Sequence, residues 1–192
     1  MSMKIIVNDK ENEIIIKKSK FTGIIKRIQS EEEVNEILLD TKKKYQLASH
    51  IPYAYILDNK KKYSDDKEPS NTAGLPILNV LEKNNLNYCL AIVVRYFGGI
   101  KLGANGLVRA YANSVNDAIK EVGIKELIDG YNVNIIFNYD MVKTVDYLLK
   151  DAEILKKDFN DKITYNVNIS NIKVLEDNNL TFEIKKEIKI EK

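Results

Sequence analysis

Residues 93–111 read VVRYFGGIKLGANGLVRAY and hold four of the eight glycines in the 192-residue chain. The apolar run over residues 88–94 is typical of a central strand covered on both faces. From Leu107 onward, apolar residues recur at helical spacing. The stretch therefore predicts a buried strand, a glycine-rich turn and an amphipathic helix, with Asn105 as the N-cap and Gly106 as the first helical residue.

A strand that feeds a helix through a glycine-rich turn is a common way to bind an anion. N–H groups at a helix start have no acceptor inside the helix, and the peptide dipoles add positive charge there. Glycines let the backbone approach a ligand closely, and a phosphate suits such a site. The predicted anion site consists of Arg95, Gly98, Gly99, Lys101, Gly103, Gly106, Leu107, Val108 and Arg109. The alternative is a purely structural turn, because neither G-x-x-x-x-G-K-[ST] nor G-x-G-x-x-G is matched.

Two further groups of residues are candidates for chemistry. The acidic loop is defined by Asp65, Asp66, Glu68, Ser70 and Thr72. Its three carboxylates are candidates for a Mg²⁺ site, and the favoured interpretation is a turn that places negative charge at the next helix start. His50, the single histidine, is the candidate general acid or base if the protein is an enzyme, and otherwise fixes a turn. No cofactor is predicted.

Composition restricts the class of protein and its partners. The net charge is only +2, and no apolar stretch approaches the ~18 residues that cross a bilayer. Cys89 is the single cysteine and lies in an apolar run, so we expect a buried thiol, no disulfide and a cytoplasmic location. Residues 1–125 carry 20 Lys and Arg against 15 Asp and Glu, whereas residues 126–192 carry 10 against 13. This asymmetry, with a linker between Gly123 and Gly130, predicts a domain boundary near residue 125.

The remaining elements are predicted from periodicity and capping signals. Ser30 followed by Glu33 is a capping box, and Pro76 requires the next helix to begin close to Thr72. After the boundary, a β-α-β-β-α-β unit is predicted, and beyond Ser170 a helix and a strand fit equally well. The other predicted elements are strands at residues 14–16, 21–28, 53–57, 133–137, 154–159 and 163–169, and a helix at residues 140–151.

Four blocks carry a resemblance to a known family. KSKFTG, ASHIPYAY, SDDKEPSNTAGLPILNVLE and VVRYFGGIKLGANGLVRAY resemble, in order and spacing, the signature blocks of the YigZ/IMPACT family. The resemblance implies an α+β protein of two domains. Residues 1–125 would share the fold of elongation factor G domain IV and the GHMP kinases, and residues 126–192 would be ferredoxin-like, similar to elongation factor G domain V. Lys67, Asn71 and Asn105 stand where the family usually has glycine. The chain begins almost at its first strand, so we expect no RWD domain, which the eukaryotic members carry.

The resemblance links the chain to control of translation. It implies a nucleic-acid- or ribosome-binding regulator. Combined with the predicted anion site, this gives the first hypothesis, in which the glycine-rich loop binds RNA phosphates. No membrane partner is expected. Two alternatives remain open at this point. One is an enzyme that acts on a phosphorylated small molecule with Mg²⁺, and the other is a protein-interaction adaptor with a structural glycine loop. The oligomeric state is not predicted.

Overall fold

The chain forms two compact α+β units. The computed structural model describes residues 3–192, and the chain divides between residues 125 and 126. Each unit combines an antiparallel sheet with helices, which confirms the predicted α+β class with two domains. Within the described residues, no helix is both long and apolar enough to cross a membrane.

The first unit is built on one antiparallel sheet. Its strand order is β2-β3-β6-β4-β5, and every neighbouring pair is antiparallel. The unit contains β1 (Met3–Ile6), β2 (Lys10–Ile16), β3 (Ser19–Arg27), α1 (Glu31–Lys44), β4 (Tyr53–Leu57), β5 (Lys60–Ser64), α2 (Gly74–Lys83), β6 (Cys89–Tyr96) and α3 (Ala104–Ile119).

Helices cover both faces of this sheet. Val34 and Leu38 of α1 pack with Ile92 on one face. On the other face, α2 and α3 pack against the strands, with Leu81 and Tyr111 in the core. The central strand β6 is therefore buried along almost all of its length, as its continuous apolar run predicts.

The single cysteine lies in this central strand. Cys89 is fully buried, and burial raises the pKa of its thiol well above its ordinary value. Because the thiolate is the reactive form, this thiol is chemically inert in the folded protein. The prediction of a buried cysteine is confirmed.

The second unit has ferredoxin-like connectivity. Within residues 126–192 the strand order is β10-β7-β9-β8, all neighbours are antiparallel, and two helices cover one face. This arrangement is the β-α-β-β-α-β unit that the sequence predicts. Its elements are β7 (Ile124–Phe137), a 3₁₀ turn (Tyr139–Met141), α4 (Val142–Leu148), β8 (Glu153–Phe159), β9 (Ile163–Ile169), α5 (Lys173–Glu176) and β10 (Thr181–Glu191).

The structure contradicts one sequence prediction and decides another that the sequence leaves open. The predicted linker between Gly123 and Gly130 is wrong, because β7 begins at Ile124 and pairs with β10 through this segment. The segment beyond Ser170 is a short helix followed by a strand, so the strand interpretation of residues 180–184 is correct. The lysine run at residues 60–62 forms edge strand β5, where lysines discourage pairing with another chain.

Candidate functional site

The glycine-rich turn after β6 borders a cleft in the first unit. The cleft has a volume of about 500 Å³, within the range of small-ligand sites. Apolar side chains form its walls and charged side chains its floor. It is lined by Ser49, His50, Glu68, Pro69, Arg95, Phe97, Lys101, Leu102, Gly103, Ala104 and Leu107.

The start of α3 opens onto this cleft. The helix begins at Ala104, with Gly103 as its N-cap at φ +75°, a conformation that favours glycine. Among the described residues no side chain caps the helix, and the first internal bond runs from the Leu107 N–H to the Gly103 carbonyl at 2.9 Å. The N–H groups of Ala104, Asn105 and Gly106 therefore have no acceptor inside the helix.

This geometry corrects the predicted helix start. Asn105 is not the N-cap, since the chain enters the helix two residues earlier. The N–H of Leu107 is used inside the helix, and Val108 follows it in the same ladder, so neither donor is free for a ligand. The reason is the positive φ of Gly103, which turns the backbone into the helix before Asn105.

A buried ion pair forms the floor of the cleft. Arg95 donates from Nη1 to Glu68 Oε1, and both side chains are at least nine-tenths buried. The Tyr111 hydroxyl donates to the same Oε1 at 2.6 Å. Burial and this hydrogen bond raise the pKa of Tyr111 far above its ordinary value, so the hydroxyl stays protonated and remains a donor. Because Glu68 neutralises its charge, Arg95 does not bring an unpaired positive charge to the predicted anion site.

Arg95 nevertheless retains an unused donor. Its Nε is buried and has no hydrogen-bond partner among the described residues. The guanidinium carbon lies 5.4 Å from the centre of the Phe21 ring and 5.5 Å from that of Phe97. Phe97 is 48% exposed and forms a wall of the cleft, so an aromatic surface backed by a cation faces the opening.

His50 is held in one tautomer beside this ion pair. Its Nδ1 lies 2.9 Å from the Asp66 carbonyl, which can only accept, so Nδ1 carries the hydrogen. In the neutral ring the lone pair is then on Nε2, which lies 3.9 Å from Glu68 Oε1. The ring is about one quarter exposed and lines the cleft. His50 therefore offers an acceptor to a bound molecule.

The acidic loop does not bring its carboxylates to a common point. Asp65 caps α2, accepting from the Ala73 N–H at 3.0 Å and the Gly74 N–H at 2.8 Å through Oδ1. Asp66 accepts from the Ile51 N–H at 2.6 Å. Since Glu68 is committed to Arg95 and Tyr111, the three carboxylates have three different partners. Among residues 3–192, no cluster of His, Cys, Asp or Glu is arranged to hold a metal ion.

Two positions of the loop at which the resemblance implies glycine have a left-handed backbone. Lys67 and Asn71 occupy these positions, with φ values of +68° and +61°. These positions require the left-handed conformation, which costs a non-glycine residue about 1–2 kcal/mol. Thr72 is buried, and its hydroxyl donates to the Pro69 carbonyl at 2.6 Å, whereas Ser70 is exposed.

The other predicted anion-site residues separate into two groups. Lys101 and Gly103 line the cleft, whereas Arg109 is exposed in the second turn of α3 and lies outside the cleft lining. Gly98 serves packing, because a Cβ there would lie 2.0 Å from the Lys18 backbone. Gly99 has φ +84° and shapes the turn. Of Arg95, Lys101 and Arg109, Lys101 is the one that lines the cleft without an ion-pair partner among the described residues.

Two residues contribute to the cleft through groups that their sequence patterns do not indicate. Tyr111 belongs to the apolar stripe of α3 and is fully buried in the core, and its hydroxyl donates to Glu68 at the floor of the cleft. Ala104 carries no chemical signal in its side chain, since only its backbone N–H matters. The pairing of Glu68 with Arg95 spans 27 residues, and no local pattern indicates such a contact.

The part of the chain that contains the cleft is similar in sequence to known proteins. The model of the Impact N-terminal domain matches residues 17–119. IMPACT family member YvyE of Bacillus subtilis is 38% identical over 151 residues, which cover 77% of this chain and 70% of that protein. IMPACT family member YigZ of Escherichia coli is 29% identical over 168 residues, which cover 84% and 82%. The crystal structure of a hypothetical protein matches with a TM-score of 0.65 at 24% identity, over 96% of this chain and 98% of that one, and shares the fold. Since the family model spans more than half of the sequence and includes every residue of the cleft, the chain belongs to the IMPACT family.

Proposed function

We propose that this protein is a nucleic-acid- or ribosome-binding regulator of translation, and that its first unit binds RNA phosphate in the cleft. The observation that carries the proposal is the uncapped start of α3, where three N–H groups without helical acceptors lie beside Lys101. Such a terminus favours an oxyanion through its free donors and through the helix dipole. The resemblance to a family linked to translation makes RNA the expected source of the phosphate.

The charge distribution supports the same assignment. Residues 1–125 carry a net charge of +5, with 20 basic and 15 acidic residues, whereas residues 126–192 carry −3, with 10 and 13. The excess of positive charge thus lies in the unit that contains the cleft. Because few phosphate contacts are implied, the affinity for RNA should be modest and should fall as salt rises.

The test is the binding of the full chain to purified ribosomes and to total RNA over a range of salt concentrations. Lys101→Ala should weaken binding and lower the slope of log affinity against log salt by about 1, because one phosphate contact is lost. Lys42→Ala is the matched control, since it removes an exposed lysine from α1 on the opposite face of the sheet. Absence of ribosome or RNA binding at low salt would refute the proposal.

A second candidate function is an enzyme acting on a phosphorylated small molecule. The fixed tautomer of His50 favours it, because Nε2 is an available base beside the buried Glu68 in a cleft. The three loop carboxylates have separate partners, so no metal role is assigned to them. Turnover of a phosphorylated compound that is abolished in His50→Asn would support this candidate, and its absence across a phosphometabolite library would remove it.

A further inference from the structure

We infer that the cleft receives a single unpaired ribonucleotide, with its phosphate on the α3 start, its base on Phe97 and a ribose hydroxyl on His50. This inference rests on the proposed RNA-binding function and specifies what the RNA must present. A phosphate alone would leave the apolar walls and His50 Nε2 without a partner. A base-paired nucleotide would leave no base face for Phe97.

The phosphate end is supported by two independent features. The N–H groups of Ala104, Asn105 and Gly106 have no acceptor inside α3. Separately, the Arg95 side chain lines the same cleft, is 94% buried, and has an Nε without a partner in residues 3–192. A buried donor left unsatisfied is unfavourable, and an anion that accepts its hydrogen bond removes part of this cost. Lys101 adds the unneutralised charge that an oxyanion requires.

The base end is the exposed face of Phe97. The ring is 48% exposed although it is apolar, and Arg95 lies 5.5 Å from its centre. Leu102 and Leu107 continue this apolar wall. Unpaired bases stack on such rings regardless of sequence. The wall therefore fits a nucleobase from a single strand.

The sugar is recognised by His50. Because Nδ1–H is donated to the Asp66 carbonyl, Nε2 can accept a hydrogen bond and needs a donor from the ligand. Glu68 Oε1, 3.9 Å away, is an acceptor too and cannot supply one. The 2′-hydroxyl of ribose is a donor that deoxyribose lacks, so His50 favours RNA over DNA.

The experiment compares three fluorescent probes with the full chain: single-stranded octauridylate, the deoxyuridine octamer, and a G·C RNA duplex of the same length. Octauridylate should bind most tightly, and the deoxy probe about threefold to tenfold more weakly through loss of one hydrogen bond. Phe97→Ala should weaken octauridylate binding roughly tenfold and leave duplex binding unchanged. Phe159→Ala, which truncates a 57% exposed ring in the second unit, is the matched control.

His50→Asn separates sugar recognition from loop structure. The amide nitrogen of asparagine stands the same number of bonds from Cα as Nδ1 and can keep the contact to Asp66, whereas Nε2 is lost. This variant should bind ribose and deoxyribose probes equally.

The outcomes distinguish the inference from the function on which it rests. The single-nucleotide site would be overturned, and RNA binding left intact, if the duplex bound as tightly as the single strand and Phe97→Ala did not change the affinity for octauridylate. Binding of none of the three probes, together with no ribosome binding, would overturn both. Displacement of octauridylate by inorganic phosphate alone, at concentrations where uridine has no effect, would show a bare anion site and also overturn the inference.

Discussion

Two helix starts in the first unit differ in whether the protein itself supplies acceptors for their free N–H groups. At α2, the chain supplies its own anion, because Asp65 accepts hydrogen bonds from the N–H groups of Asn71, Ala73 and Gly74 at 2.8–3.0 Å. At α3, no side chain of residues 3–192 caps the helix, and its first turn contains no acidic residue. The first helix start is closed by the protein, whereas the second is available to a ligand.

The acidic loop before α2 and the glycine-rich loop before α3 therefore have different roles. The acidic loop is near enough to α2 for local capping, so its carboxylates stabilise the fold. The loop before α3 carries glycines and Lys101, and the nearest buried carboxylate, Glu68, is engaged by Arg95 and Tyr111. The α3 start thus keeps its positive character because Glu68 is occupied elsewhere.

Removing the contacts of Glu68 with Arg95 and Tyr111 should have the largest effect on stability. Glu68→Ala leaves the Arg95 charge buried and unpaired, which costs about 3–5 kcal/mol. Hydrogen exchange of the β6 amides in the full chain measures the resulting fall in the opening free energy of the first unit.

Glu82→Ala is the control for Glu68→Ala. It removes a glutamate from the exposed pair with Lys61, whose N–O distance is 2.8 Å, and should cost no more than about 1 kcal/mol. Equal effects of the two substitutions would contradict the assignment of the floor as a buried structural pair.

Opening the closed helix start should have an intermediate effect. Asp65→Ala removes the acceptor for three N–H groups at α2 and should lower the opening free energy of α2 by about 1–2 kcal/mol. Asp65→Asn keeps a side-chain oxygen and should recover most of this loss. The amide exchange of α2 checks both variants, and RNA affinity should remain unchanged, because the cleft does not include Asp65. A loss of RNA binding in a folded Asp65→Ala protein would contradict the assignment of a structural role to the α2 start and a binding role to the α3 start.

Much of this comparison could be predicted from local sequence. The buried strand β6, the glycine turn and the amphipathic α3 follow from apolar periodicity, and negative charge before α2 follows from the acidic run. The start of α3 could not be placed, because Asn105 is a better cap by residue type than Gly103, and the φ of Gly103 depends on the fold around it. The neutralisation of Arg95 was equally inaccessible, since it depends on a contact between distant residues.

Long strands in the second unit show the same limit. Ile163–Ile169 is recognised by its strict alternation, with every second residue buried. Residues 124–130 have no such pattern and contain Gly130, so they are interpreted as a linker, although they pair with β10. Local alternation predicts a strand when one face is buried, whereas pairing with a strand from the far end of the chain overrides a weak local signal.

The smallest expected effect on stability comes from making α3 resemble α2. Asn105 is exposed in the first turn of α3, and Asn105→Asp places a carboxylate there with almost no change in size. The charge should stabilise the helix by about 0.3–1 kcal/mol through the dipole, and it should weaken RNA binding by competing with phosphate for the same N–H groups. Stability and affinity should therefore change in opposite directions, as measured by α3 amide exchange and by RNA titration. Asn113→Asp, on the exposed face in the middle of the same helix, carries the same charge change and should give neither the stabilisation nor a comparable loss of affinity. If the Asn105→Asp protein had a more stable α3 and bound RNA as tightly as the unmodified chain, the helix start would be an uncapped helix end that does not bind phosphate.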